Sequence, residues 1–327
     1  MPRTIQFGFH SVLVAALGLT SGSAAGAAAP REFVTLSRHD GWVGGAAYSS
    51  DGRMLAAAGA DGVVLLWKPD SSQAPTRWKA HAGAVCAVAF SPDGGTLATG
   101  SFDHTAKLYD VVKGKATHTL RGHKGVVMTI AFSPNGRLLA TGSIDGTIRL
   151  WHPSTGALTR TLRGHRTWVN SLAFTPDGSQ IVSGSSDTTI KVWDVGSGEQ
   201  KRTLEPQAAE IRCVAVSPDG RTVAAGTRYG LLKVMDLATG KVRATLRGHV
   251  GDVWAVAFAP DGQTLASGDG DWNRPGDVRI WDTNGWRQRT ILKHSGEVLC
   301  LTFSPSGRRL AAGSWDHSIR IWMLGRR

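Results

Sequence analysis

Several things are scarce in this sequence, and each scarcity excludes something. Cysteine occurs three times in 327 residues, an odd number that leaves no complete disulfide framework. No Cys-x-x-Cys-His haem attachment, Walker A loop or dinucleotide fingerprint is present. No stretch sustains the 3.6-residue periodicity of a helix, which excludes helical bundles. Long apolar runs are missing as well. The richest, around residues 12 to 19, is too short to cross a bilayer core of about 30 Å.

That short run belongs to an N-terminus unlike the rest of the chain. "MPRTIQFGFHSVLVAALGLTSGSAAGAAAP" has one early charge, Arg3, an apolar centre and a tail of small residues. Ala25-Gly26-Ala27 fits the small-x-small cleavage rule, which predicts a signal peptide over residues 1–27 and a linker over 28–31. A secreted or periplasmic protein of bacterial exported type follows; a disordered Ala/Gly tail is the alternative. Acidic residues are outnumbered, 25 Asp and Glu against 37 Lys and Arg, for a formal charge of +12. Such a balance suits acidic polymers or anionic surfaces.

What is abundant is repetition. The residue ending an apolar run recurs at Trp67, Tyr109, Trp151, Trp193, Met235, Trp281 and Trp322, at intervals of 42, 42, 42, 42, 46 and 41. His39, His81, His123, His165, Gln207 and His294 each lie 28 residues before their marker. His249 lies 32 before Trp281, because "WNRPG" lengthens that unit. A near-constant period repeated through the chain is an array of one supersecondary unit. The excess charge is repeated too: Lys107, Arg149, Lys191, Lys233, Arg279 and Arg320 all stand two before the marker, a ring of charge rather than a patch. Cys213 and Cys300 share one repeat position and Cys86 lies one earlier. Non-neighbouring units do not bring Cα atoms within the roughly 7 Å of a disulfide, so all three read as strand-borne thiols.

One unit shows the local design. "VVMTIAF" is a buried strand, "SPNG" a tight turn with Pro second and Gly fourth, "RLLATGS" a strand, "IDGT" a turn, "TIRLW" a strand, and "PSTGA" a turn into "LTRTL". Four short antiparallel strands leave two apolar faces and two open edges. Seven such sheets packed face to face around an axis bury those faces, which predicts an all-β, seven-bladed β-propeller over residues 32–327.

Gly164-His165 with Trp193-Asp194, and Gly248-His249 with Trp281-Asp282, resemble the WD-repeat family, and the resemblance spans residues 32 to 324. It implies that "REFVTL" supplies the missing fourth strand of the last blade and closes a monomeric ring. It also implies a structural tetrad in each good blade: His123, Thr141, Asp145 and Trp151; His165, Ser183, Asp187 and Trp193; His249, Ser267, Asp271 and Trp281. Asp accepts from His, which is linked through Ser or Thr to the indole, so buried polar groups are satisfied. The same residue types make a hydrolase triad, but catalytic sites are not copied around a ring. Tyr109 replaces Trp in unit two, Ala57 and Ala312 replace Ser in units one and seven, and unit five has Gln207, Ala225, Tyr229 and Met235, so its blade is expected to be the least pinned.

By the same resemblance the rim carrying the His and Asp turns is the partner face. The residues expected there are Trp42, Phe102, Met128, Ile144, Trp168, Arg212, Arg228, Trp254 and Trp315, with Asp252 and Glu297, and Trp272 and Arg274 from the insert. Aromatic and Met side chains interleaved with Arg match protein-binding hot spots. The inner strands carry no cluster of carboxylates or histidines for metal or acid–base work. Asp269, Asp271 and Asn273 are spaced like the start of a calcium loop that lacks its Gly and Glu. The expectation is a scaffold for a protein partner, without enzymatic activity, metal or cofactor. An acidic polymer held by the basic surface, or a propeller enzyme, are the alternatives.

Overall fold

The turn expected at "SPNG" sets the pattern for the whole chain. Gly136 N donates to Ser133 O at 2.8 Å with Gly136 at φ +69°, and Ser133 Oγ accepts from Leu138 N at 2.9 Å. Only glycine adopts that backbone readily, so the Pro-Asn-Gly chemistry fixes where each first hairpin reverses. The computed structural model describes residues 30–325 apart from 38, 272 and 273. The expected signal peptide, residues 1–27, and Trp272 lie outside the described residues.

Among the described residues the chain forms twenty-eight strands, numbered β1 to β28 along the sequence. They assemble into seven four-stranded antiparallel sheets, the blades of a propeller. Blade four is typical: β14 (Val169–Phe174), β15 (Gln180–Ser185), β16 (Ile190–Asp194) and β17 (Gln200–Thr203) pair in sequence order. The first strand lies innermost; the fourth, "QKRT", is exposed throughout. No helix among the described residues is long and apolar enough to cross a membrane.

The core lies between blades rather than within them. Ala98, Ala106, Leu108 and Leu120 of blade two pack on Val127, Ile130, Leu139 and Trp151 of blade three. Ala140, Ile148, Leu150 and Leu162 of blade three pack on Val169, Leu172, Ile181 and Trp193 of blade four. Each fully buried Leu or Ile contributes about 1.5–3 kcal/mol, and none of it is available to an isolated blade.

Closure follows the sequence expectation. β1 (Arg31–Ser37) pairs antiparallel with β28 (Ser318–Met323), from Arg31 opposite Met323 to Ser37 opposite Ser318. The strand starts at Arg31, the last residue of the expected linker. Blade seven therefore joins β1 to β28, β27 (Arg309–Ser314) and β26 (Val298–Phe303). Val34 and Leu36 pack with Ile319 and Ile321, so both ends of the chain hold one blade.

Candidate functional site

Every inner strand carries a register shift near its start. The shift falls between Val127 and Thr129 in blade three and between Val169 and Ser171 in blade four, and recurs in the other five. The residue left opposite no partner is re-aimed, as at any β-bulge. The seven residues so placed are Gly44, Cys86, Met128, Asn170, Arg212, Trp254 and Leu299, and all of them line one cavity of about 300 Å³. Trp42, Phe102, Glu297 and Trp315 complete its wall.

The wall has two chemically distinct sides. Phe102, Trp42 and Trp315, from blades two, one and seven, form a continuous aromatic arc. Trp42 and Trp315 stack with centroids 6.2 Å apart and planes at 14°, and Phe102 leans on Trp42 at 6.0 Å. Phe102 and Trp315 are 46% and 42% exposed, large for apolar side chains that have a packing option. Opposite them lies an ion network. Arg212 binds Asp252 at 2.9 Å and Glu210 at 2.9 Å, and Glu210 also holds Arg228 at 2.8 Å. The Arg212 guanidinium lies 4.6 Å over the Trp254 ring. Trp254 is thus half-buried beneath a cation, less open than the rim reading expects.

Outside the mouth, the tetrads of blades three and four are closed. His165 Nδ1 meets Asp187 at 3.0 Å, its Nε2 meets Ser183 Oγ at 2.8 Å, and the Trp193 indole donates to the same oxygen at 2.8 Å. Blade three repeats this with His123, Asp145, Thr141 and Trp151 at 3.0, 2.8 and 2.9 Å. Thr141 and Ser183 are fully buried, so neither hydroxyl can meet a substrate. Burial outweighs the neighbouring carboxylates and pushes His123 and His165 below the usual imidazole range. Burial would raise Asp145, yet hydrogen bonds from Thr147, Lys124 N and His123 bring it down to about 2. Where Ala57 and Ala312 stand, His39 Nε2 and His294 Nε2 are buried with no partner. Tyr109 bypasses its tetrad and donates to Ala80 O at 2.6 Å. In blade five, Gln207 Nε2 donates to Glu205 O at 2.5 Å and lies 3.9 Å from the Met235 sulfur, and Tyr229 is 70% exposed at φ +71°. The Glu210 and Asp252 network ties that blade to blade six instead.

Blade six corrects one tetrad assignment. His249 and Trp281 converge on Ser267 at 2.6 and 2.7 Å as expected, but the carboxylate beside His249 Nδ1 is Asp269, at 3.0 Å, and not Asp271. β23 (Thr264–Gly270) runs on until Gly270 faces Asp252, and the insert leaves the sheet after it, before β24 (Asp277–Asp282). Asp269 then accepts Val250 N at 3.1 Å and Asp277 N at 2.7 Å. Those are the bonds Asp187 takes from Arg166 N and Thr189 N. The same carboxylate position is reached from a different backbone position. Asp271 is released to the surface beside Arg274. Of the calcium-loop spacing, Asp269 is committed to His249 and Asn273 lies outside the described residues.

With this geometry established, two families match the chain. The one described as the IFT122 first beta-propeller matches residues 102–269, just over half of the chain. The one described as the WD domain, G-beta repeat, matches residues 31–68, 73–110 and 285–323. The chain belongs to the WD-repeat propeller family. No curated protein matches it. WD-repeat propellers are protein-interaction scaffolds, typically without catalysis.

Of the rim residues expected from the WD-repeat pattern, seven share the mouth cavity: Trp42, Phe102, Met128, Arg212, Trp254, Glu297 and Trp315. Trp168, 48% exposed, and Ile144 and Arg228 stand outside its lining. Gly44, Cys86, Asn170 and Leu299 escaped the reading, because seven unlike side chains occupy the bulge and only their common register reveals it. The three thiols are pushed up to about 12 by burial and are not nucleophiles. Five of the six repeated cations are bonded at home: Lys107 to Ala80 O, Lys191 to Gln200 and Thr203, Lys233 to Thr245, Arg279 to Gln288 and Asp277, and Arg320 to Ser295.

Proposed function

We propose that this WD-repeat propeller is a non-enzymatic recognition scaffold acting outside the cytoplasm, which takes a protein partner on the rim that carries the His and Asp turns. The convergence of Trp42, Phe102 and Trp315 with the seven bulge residues around one mouth carries this reading. Exposed aromatics beside a cavity are what an interface buries with most gain. The leader, residues 1–27, supplies the location, with cleavage after Ala27; an intact Met1 in the natively expressed protein would overturn that part. An acidic polymer is disfavoured as the ligand, since five of the six repeated cations are occupied within the blades.

Capture of the native partner by the purified protein tests the rim. Trp315→Ala removes an anchor that is already half-exposed, so binding should fall by about 2 kcal/mol, roughly thirtyfold, with little change in melting temperature. Trp193→Ala, which guts a tetrad, should destabilise the fold. Binding that ignores Trp315 but collapses as salt is raised would favour the polyanion reading instead.

A further inference from the structure

One group in the mouth cavity has nothing to bind. Glu297 is only 8% exposed and lines the cavity with Trp42, Trp254 and Trp315, yet its carboxylate accepts no hydrogen bond from any described residue. It is held firmly. Its backbone oxygen accepts Trp315 N at 2.9 Å, and Gly270 packs so closely that a Cβ there would stand 2.5 Å from Glu297 Cα. Asp271, freed from the tetrad, lies near it with no ion pair of its own. Asp252 and Glu210 are already spent on Arg212 and Arg228. The mouth of a strongly basic chain therefore presents unmatched negative charge.

The Glu297 carboxylate meets solvent only through the cavity, and an apolar side chain seated over it would remove that solvent without supplying a donor, at a cost. An anion would be repelled. A cation removes the cost, and among cations the guanidinium suits this wall. It offers two parallel N–H groups to a carboxylate, and its flat faces lie well on indole rings. Arg212 over Trp254 already shows the contact inside the cavity. The volume, about 300 Å³, is at the lower end for small-ligand pockets and suits one side chain rather than a folded segment.

We propose that the mouth cavity is a socket for an arginine side chain offered by the partner, with Glu297 receiving the guanidinium and Trp42 and Trp315 flanking it. This rests on the rim being the partner face. The test uses capped pentapeptides with glycine on either side of arginine, citrulline, lysine or norleucine, titrated by NMR into the full propeller and into Glu297→Gln. The arginine peptide should bind at least about tenfold more tightly than citrulline, its uncharged isostere, and this preference should vanish in Glu297→Gln. No binding by the arginine peptide at millimolar concentration, or equal binding by citrulline, overturns the socket. Lysine binding as well as arginine overturns the choice of a guanidinium. Should Glu297→Gln lower the melting temperature, arginine against citrulline on the unaltered protein decides alone. A native partner that is lost on Trp315→Ala while the peptides show no charge preference would sink the socket and leave the rim. A partner indifferent to both substitutions would sink the rim reading as well.

Discussion

Replacing Asp269 by alanine should be among the costliest single changes in the molecule, and replacing Asp271 among the cheapest. Asp269 is 5% exposed and its carboxylate takes two backbone donors, Val250 N at 3.1 Å and Asp277 N at 2.7 Å, and faces His249 Nδ1 at 3.0 Å. Each buried donor left without an acceptor costs about 1–3 kcal/mol. Water entering at the blade edge recovers part of that, so the net loss should be about 3–5 kcal/mol, the usual cost of breaking a buried pair. For a ring of this size that corresponds to a fall in melting temperature of about 5–8 °C. Asp271 is exposed, has no ion pair and sits beside Glu297, so Asp271→Ala should stay within about 0.5 kcal/mol of the parent. Thermal and urea unfolding of both variants measure this. A double-mutant cycle with His249→Ala should give a coupling of at least about 1 kcal/mol for Asp269 and nearly none for Asp271. If Asp271→Ala is the destabilising change, the insert leaves the sheet where the His-to-Asp spacing suggests, and the blade-six account is wrong.

Deleting residues 30–37 should cost several kcal/mol, because the β1–β28 pairing and the packing of Val34 and Leu36 are lost together; an unchanged melting temperature would refute the clasp. Acid should destabilise the fold in two stages. His81, His123 and His165 resist protonation when folded but accept it unfolded, so stability should start to fall below about pH 6.5. Asp145, held at about 2, contributes stability above its unfolded value that is lost as pH drops from about 4 toward 2, and a melting temperature flat between about pH 7 and 5 would contradict the first stage.

The ring was legible in the sequence because every blade solves one problem the same way. A hairpin needs its Gly at positive φ, a buried indole needs an acceptor, and both recur at the period of the blade. The clasp was legible for a related reason: a unit lacking its fourth strand leaves an edge, and "REFVTL" was the unassigned strand. The tetrad of blade six failed because counting from His249 assumes where an insert lies. Spacing records the insert's length, whereas the hydrogen bonds of β23 decide where it leaves the sheet. The mouth was half legible. Trp42, Phe102 and Trp315 declare themselves as aromatics in turns, but Asn170 and Leu299 look like ordinary strand residues until the bulge turns them inward. The isolation of Glu297 was beyond reach, since it depends on Gly270 of the next blade pressing against its backbone.

Blades five and six, which depart furthest from the repeat, stand side by side, and both turn toward the mouth. Blade five has no tetrad, and the exposed Tyr229 and Arg228 stand where a closed turn would be, feeding the Glu210 and Arg212 network. Blade six keeps its tetrad by moving the carboxylate to Asp269, which releases Asp271 and brings Gly270 against Glu297. A position repeated in every blade can define a ring but cannot single out one ligand, because it presents the same chemistry seven times. Selectivity has to come from positions that differ between blades. Here the differences gather at one end of the channel, with aromatic faces on blades seven, one and two and carboxylates on five, six and seven. That asymmetry gives a bound side chain one preferred direction of approach, which a symmetric ring of tetrads does not offer.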